Sequence, residues 1–149
     1  MHQIKTKLAE ISAAHRLGKN YVGKCQNLHG HNYVINLTFS CTSLDQYDFV
    51  IDFGDIKQHC NNWAKTHWDH SIIISSADTT LIEFAKRENQ KHYIIPNGEN
   101  TTVEILCKHL YEQLTHVALP HLNLRDNVVL TEVEIWETNS SCARYNPSF

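Results

Sequence analysis

The triplet His29-Gly30-His31 is the sharpest chemical feature of this chain. In an extended segment residues two apart point to the same side, so the two imidazoles converge on one point and the glycine between them leaves the approach open. His15, which ends the strand-like part of Ala13-Ala14-His15-Arg16-Leu17, can sit beside them across a hairpin. Three neutral imidazoles suit zinc. Three protein ligands leave the fourth tetrahedral position for water or substrate, the arrangement of a catalytic rather than a structural metal. A histidine-rich chain also places such pairs on a sheet surface by chance, so spacing alone leaves both readings open.

Cys25 precedes the triplet in a loop-like segment next to Lys24. A thiol near a metal and cations ionises readily and can serve as nucleophile or general base; a semi-buried structural thiol is the plainer alternative. In Asp69-His70 a carboxylate adjoins an imidazole it can orient, which makes a proton relay, although the dipeptide is common. Glu137 ends an alternating run that places it on one face with Val129, Val133 and Ile135. A carboxylate on an apolar face needs a partner, either a structural Lys or Arg or a ligand edge that offers two N–H donors.

These residues must be held by elements that the patterning outlines. Gln3–Ala14 alternates weakly and His31–Cys41 clearly, and both are expected as strands. A short returning strand is expected around Phe49–Asp52. Asp52 is a fitting N-cap for an amphipathic helix from Gly54 to about His67, with Ile56, Cys60, Trp63 and Ala64 on one face. Leu81–Asn89 is helix-like and His92–Ile95 strand-like before the turn Pro96-Asn97-Gly98. Thr101 with Glu104 matches a capping box ahead of a helix through Leu106, Cys107, Leu110 and Leu114. Val128–Glu137 is the last expected strand. The order of the stronger elements, three strands, two helices and one strand, favours an α+β layer with one sheet and helices on one face.

Composition excludes several classes. The 149 residues fit a single domain, 1–149, and the 42% hydrophobic and 19% charged content describes a packed core rather than a disordered chain. No aliphatic run approaches a membrane span. The N-terminal residues lack the hydrophobic stretch of a secretory signal, and the five irregularly spaced cysteines are expected as free thiols, so a cytoplasmic location is expected. Cys60 and Cys107, on apolar helix faces, are expected as core fillers. A formal charge of −3 argues against a broad nucleic-acid surface. The 11 histidines, against 13 Lys and Arg together, concentrate metal-binding and proton-transfer chemistry in the chain.

Taken in order, Ala13-Ala14-His15-Arg16-Leu17, Cys25-x-x-x-His29-Gly30-His31, Ile51-Asp52-Phe53, Asp69-His70, Thr102-x-Glu104 and Trp136-Glu137-Thr138 resemble the 6-pyruvoyl-tetrahydropterin synthase family over nearly the whole chain. The gap between Cys25 and the histidine triplet resembles the bacterial 6-carboxy-5,6,7,8-tetrahydropterin synthase branch. The resemblance implies a tunnelling fold: a four-stranded antiparallel sheet with two main helices, assembled as trimers that pair into hexamers with active sites between subunits. It implies zinc on His15, His29 and His31, with Cys25 moving a proton and Asp69 and His70 forming its relay. It also implies Glu137 receiving the pterin edge, and Thr102 and Glu104 lining the pterin pocket. The implied reaction converts 7,8-dihydroneopterin triphosphate and water to 6-carboxy-5,6,7,8-tetrahydropterin, acetaldehyde and triphosphate, in queuosine biosynthesis. The alternatives are a pyruvoyl-forming synthase and a non-catalytic zinc-holding oligomeric module.

The chain departs from the family pattern in three places: Ser71-Ile72-Ile73-Ile74 follows the Asp-His pair, Ile11 replaces a phenylalanine, and no proline precedes Thr102. Residues 75–100 form a longer stretch than in compact bacterial members. Arg16, Lys19, Lys24 and Arg144 are candidate triphosphate contacts.

Overall fold

A computed structural model describes residues 1–148. The described elements are β1 (His2–Lys7), β2 (Ile11–His15), β3 (His29–Cys41), α1 (Phe53–His67), β4 (Ser71–Ser75), α2 (Thr79–Arg87), β5 (His92–Ile95), α3 (Val103–Gln113), β6 (Val128–Thr138) and β7 (Ser141–Tyr145). The α+β class is as expected, but the sheet has seven strands, not four, in the order β5-β4-β2-β3-β6-β7 with β1 also on β3. Nor is it wholly antiparallel, because β4 runs parallel to β2 and to β5. β4, Ser-Ile-Ile-Ile-Ser, is buried at every position and so carries no alternation from which a strand could be read.

β3 is the spine. Its N-terminal half pairs with β2 and its C-terminal half with β1 on the same edge, while β6 lies along the other edge. The expected strand Gln3–Ala14 is therefore two strands. Between Lys7↔Asn36 and Ile11↔Tyr33 the chain takes four steps against three on β3, so one residue is surplus. A surplus residue flips the buried parity. Thr6 and Leu8 face inward before it, and Ile11, Ala13 and His15 after it.

A second bulge lies in β6. Thr38 pairs with Glu132 and Phe39 with Leu130, which leaves Thr131 unpaired in the register. Val128 and Leu130 are buried before it and Val133 and Ile135 after it, whereas Val129 is 56% exposed. The expectation that Val129 shares the face of Val133, Ile135 and Glu137 is thus corrected: the bulge separates them.

The expected strand at Phe49–Asp52 does not form. The Arg125 guanidinium donates to the carbonyls of Ser43, Phe49 and Val50 at 2.9, 3.1 and 2.9 Å, which satisfies backbone acceptors that a ladder would otherwise use.

α1 is capped by Asp52, whose carboxylate accepts the Gly54 N–H at 2.6 Å, and it buries Ile56, Cys60, Trp63 and Ala64. α3 buries Leu106, Cys107, His109 and Leu110 in the same core, against Ile35, Leu37, Val133 and Ile135. Cys60 and Cys107 are core fillers as expected, and burial pushes both thiols up to about 12. α2 packs Leu81 and Ala85 on Ile72 and Ile74, a cluster separate from the one that holds Ile73. The two main helices, α1 and α3, thus share one face as expected, while neighbouring residues of β4 face opposite ways and α2 lies on the other face. The capping box also fails: Thr102, not Thr101, is the N-cap of α3, and no side chain caps it.

The buried acid of β6 is Glu134, on the face opposite Glu137. It accepts from Lys5 Nζ at 2.9 Å, Asn36 Nδ2 at 2.9 Å, Trp136 Nε1 at 3.1 Å and Arg144 Nε at 2.6 Å. Burial alone would push its carboxyl up, but these four donors outweigh it and hold the group at about 2. A depressed folded pKa means stability that is complete above the ordinary value of 4.5 and is lost as pH falls toward 2. Glu134→Gln should lower stability by about 2 kcal/mol at pH 7 and flatten its fall below pH 4.5, read from urea midpoints across pH. Equal acid sensitivity of the two proteins would refute this.

Candidate metal centre

The β2–β3 register places His15 directly opposite His29 and Ala13 opposite His31. With the surplus residue upstream, all three imidazoles lie on the inner face at one end of the sheet. Ring centroids are 4.7 Å apart for His15–His29, 5.2 Å for His15–His31 and 4.9 Å for His29–His31. One ligand nitrogen from each lies within 4.8 Å of the others.

The outer nitrogens explain why the inner ones are bare. His15 Nδ1 lies 2.8 Å from the Thr101 carbonyl oxygen and 3.2 Å from its hydroxyl, and His29 Nδ1 lies 2.7 Å from the Asn27 carbonyl oxygen. A ring that donates from Nδ1 leaves a lone pair on Nε2. The Nε2 atoms of His15, His29 and His31 are all buried without a hydrogen-bond partner among the described residues. Buried polar atoms are rarely left so, and three imidazole nitrogens grouped together fit a metal ion. Burial, the largest influence, with the neighbouring imidazoles, lowers His15 to about 4, outweighing the Thr101 carbonyl that favours its charged form. Burial likewise lowers His31, against the pull of Glu137. Both rings are therefore neutral at pH 7, the form that binds metal.

Glu137 reaches the cluster after the β6 bulge. Its Oε1 lies 3.6 Å from His15 Nε2 and 3.5 Å from His31 Nε2. Among the described residues its partner is thus the histidine group and not a lysine or arginine. A cavity of about 670 Å³ runs past His31 and Glu137, but it is lined mainly by Gly30, Asn32, Val34, Trp136 and Thr138, which alternate with the histidines and Glu137 along β3 and β6, and neither His15 nor His29 borders it. Tyr33 stands edge-on to His15 with its hydroxyl buried and without a partner among the described residues, and burial followed by the Glu137 charge pushes the phenol well up.

Cys25 sits half-buried in a single 3-10 turn, Lys24–Gln26, and its carbonyl accepts the Leu17 N–H at 2.8 Å, tying it to the segment just after His15. Thr102 and Glu104 begin α3 one and three residues beyond the Thr101 that meets His15. Asp69 and His70 pair with each other at 3.0 Å, but neither bonds to any of the three histidines. Asp69 accepts the Ser12 N–H at 3.0 Å, and the His70 side chain is 81% exposed. Against the upward push of burial, Ser12, His70 and Lys91 hold the Asp69 carboxyl below the usual range. Of the candidate triphosphate contacts, Arg16 is clamped to Asp78 at 2.7 and 2.8 Å, and Arg144 is bound to Glu134. Sequence reading missed Thr101, Tyr33 and the Arg16–Asp78 clamp. Only the long-range pairing of residues 16 and 101 could have exposed the first.

The fold and the site define a class: an α+β protein of the tunnelling-fold kind, with three histidines grouped as a metal groups them. Comparison gives the family. The profile described as 6-pyruvoyl tetrahydropterin synthase matches residues 4–148. The chain is 31% identical over 134 residues, 89% of itself and 92% of the relative, to the 6-carboxy-5,6,7,8-tetrahydropterin synthase of Rickettsia bellii. It is 35% identical over 127 residues, 83% of itself and 76% of the relative, to the enzyme of the same name in Aquifex aeolicus. The solved 6-pyruvoyl tetrahydropterin synthase of Plasmodium falciparum shares the fold at a TM-score of 0.72 and 17% identity, over 97% of this chain and 96% of that one. The chain belongs to the 6-pyruvoyl tetrahydropterin synthase family.

Removing either of two candidate ligands is expected to empty the site. His29→Ala and His31→Ala should each reduce bound zinc well below one per chain, measured by metal analysis of protein purified in zinc. Full zinc content in either variant would refute the ligand set.

Proposed function

We propose that this protein is a lyase that converts 7,8-dihydroneopterin triphosphate and water to 6-carboxy-5,6,7,8-tetrahydropterin, acetaldehyde and triphosphate, in the route to queuosine. The observation that carries the reading is the set of three bare Nε2 atoms beside Glu137, in a chain aligned over most of its length with relatives of that name.

Zinc held by His15, His29 and His31 would supply Lewis acidity to the side-chain oxygens of the substrate and acidify the adjoining C–H and O–H bonds. Glu137, against His15 and His31, faces the reacting end of the substrate and can hold a proton there. The far edge of a two-ring pterin lies away from that end, so its two N–H donors fall to Glu104, with Thr102 beside it at the start of α3. This reassigns the ring-edge role from Glu137. Cys25 moves the substrate proton, and its carbonyl bond to Leu17, just after His15, is consistent with a place near the same end. His70, turned to solvent and paired with Asp69, is suited to complete the site of a neighbouring copy in a trimer or hexamer.

Zinc-loaded protein incubated with 7,8-dihydroneopterin triphosphate should yield 6-carboxy-5,6,7,8-tetrahydropterin and acetaldehyde, identified by mass spectrometry. A pyruvoyl product would move the chain to the other branch, and unchanged substrate would refute the reading. Cys25→Ala should abolish turnover with zinc content and oligomeric state intact. Mixing inactive Cys25→Ala and His70→Ala chains, then reassembling them, should restore part of the activity, because some sites then draw an intact Cys25 and an intact His70 from different copies. No recovery would place both residues in one subunit's site.

A further inference from the structure

We propose that Thr101 is a positioning residue of the metal centre and that its hydroxyl, not only its carbonyl, fixes the proton of His15. The inference rests on the reading of the three histidines as metal ligands. His15 Nδ1 faces two oxygens of this one residue, the carbonyl at 2.8 Å and the hydroxyl at 3.2 Å. The carbonyl can only accept. The hydroxyl has a single proton, which it donates to the Arg16 carbonyl at 3.1 Å, so toward His15 it too presents a lone pair. With acceptors on both sides, Nδ1 must carry the ring proton, and Nε2 is left bare where His29 and His31 converge.

The residue is built to hold that geometry. Thr101 is fully buried, and its N–H donates to Asn100 Oδ1 at 3.1 Å. The same oxygen accepts the Gly18 N–H at 3.0 Å. Residues 100–101 are thereby stitched to residues 16–18, the stretch that leaves His15, and the ring and its acceptors are fixed to one another through both segments. His29, by contrast, is oriented by the Asn27 carbonyl, two residues from it in sequence. His15 takes its orientation from 86 residues away, so its tautomer depends on this tertiary contact.

The test compares zinc affinity of the full chain with Thr101→Val, which keeps the shape and loses the hydroxyl, and Thr101→Ser, which keeps the hydroxyl. Affinity is read by competition with a chromophoric chelator, well below the unfolding midpoint of each apoprotein. Loss of a group that orients a ligand costs 10- to 100-fold in affinity; with the carbonyl still in place the valine form should bind about tenfold more weakly and the serine form within about twofold of the parent. Should the valine form not fold, Thr101→Ala carries the same expectation. A merely structural hydroxyl would lower the apoprotein midpoint and leave affinity in the folded state unchanged. Undiminished affinity in the valine form, or a serine form as weak as the valine form, overturns this inference alone. A parent chain that takes up no zinc overturns the metal reading and this inference with it.

Discussion

One surplus residue between Lys7 and Ile11 decides which way His15 faces. Strand side chains alternate, so every residue downstream of a bulge changes sides. Without it, β2 would continue the parity of Thr6 and Leu8, and His15 would point away from His29 and His31. The bulge at Thr131 does the same for the other wall, turning Glu137 toward the histidines and Val129 toward solvent. These irregularities, on strands that flank β3 from opposite edges, with a further register shift against β7 between Trp136 and Thr138, set the four side chains around one point.

That convergence has an electrostatic cost that shapes the rest of the site. Three imidazoles this close cannot all be charged, and burial already disfavours the cation, which is why His15 is lowered to about 4. His15 and His29 are kept useful by satisfying Nδ1 and leaving Nε2 without a partner among the described residues, an arrangement that stability alone would not select. Glu137, the nearby carboxylate, offsets part of the repulsion if a ring is protonated and is itself set where positive charge would gather.

What the sequence made legible follows the regular parts of this design. β3, α1 and α3 have clean periodicity, and the helix faces through Cys60 and Cys107 were readable because they pack on one core. His29-Gly30-His31 was readable because two-residue spacing on a strand has a single geometric meaning. β4 was not, since a strand buried on both faces shows no alternation. The bulges were not either: at Gln3–Ala14 apolar residues occupy both parities, which reads as weak alternation and is in fact a change of face. Phe49–Asp52 has a strand's composition, but Arg125 takes its carbonyls. Glu134 was passed over in favour of Glu137 because a continuous alternation puts only one of them inward, whereas cross-strand donors bury the other.

The long stretch between residues 75 and 100 is tied to the segment leaving His15 near both of its ends, by Asp78 and by Asn100. Arg16, next to His15, clamps Asp78 with both forks of its guanidinium, and Asp78 also accepts the Leu81 N–H as N-cap of α2. The helix on the far face of the sheet therefore starts from the residue adjoining a candidate metal ligand. The clamp neutralises Arg16, and Arg144 is neutralised by Glu134 on the opposite face. Lys19 and Lys24, on the segment between β2 and β3, have no carboxylate partner among the described residues.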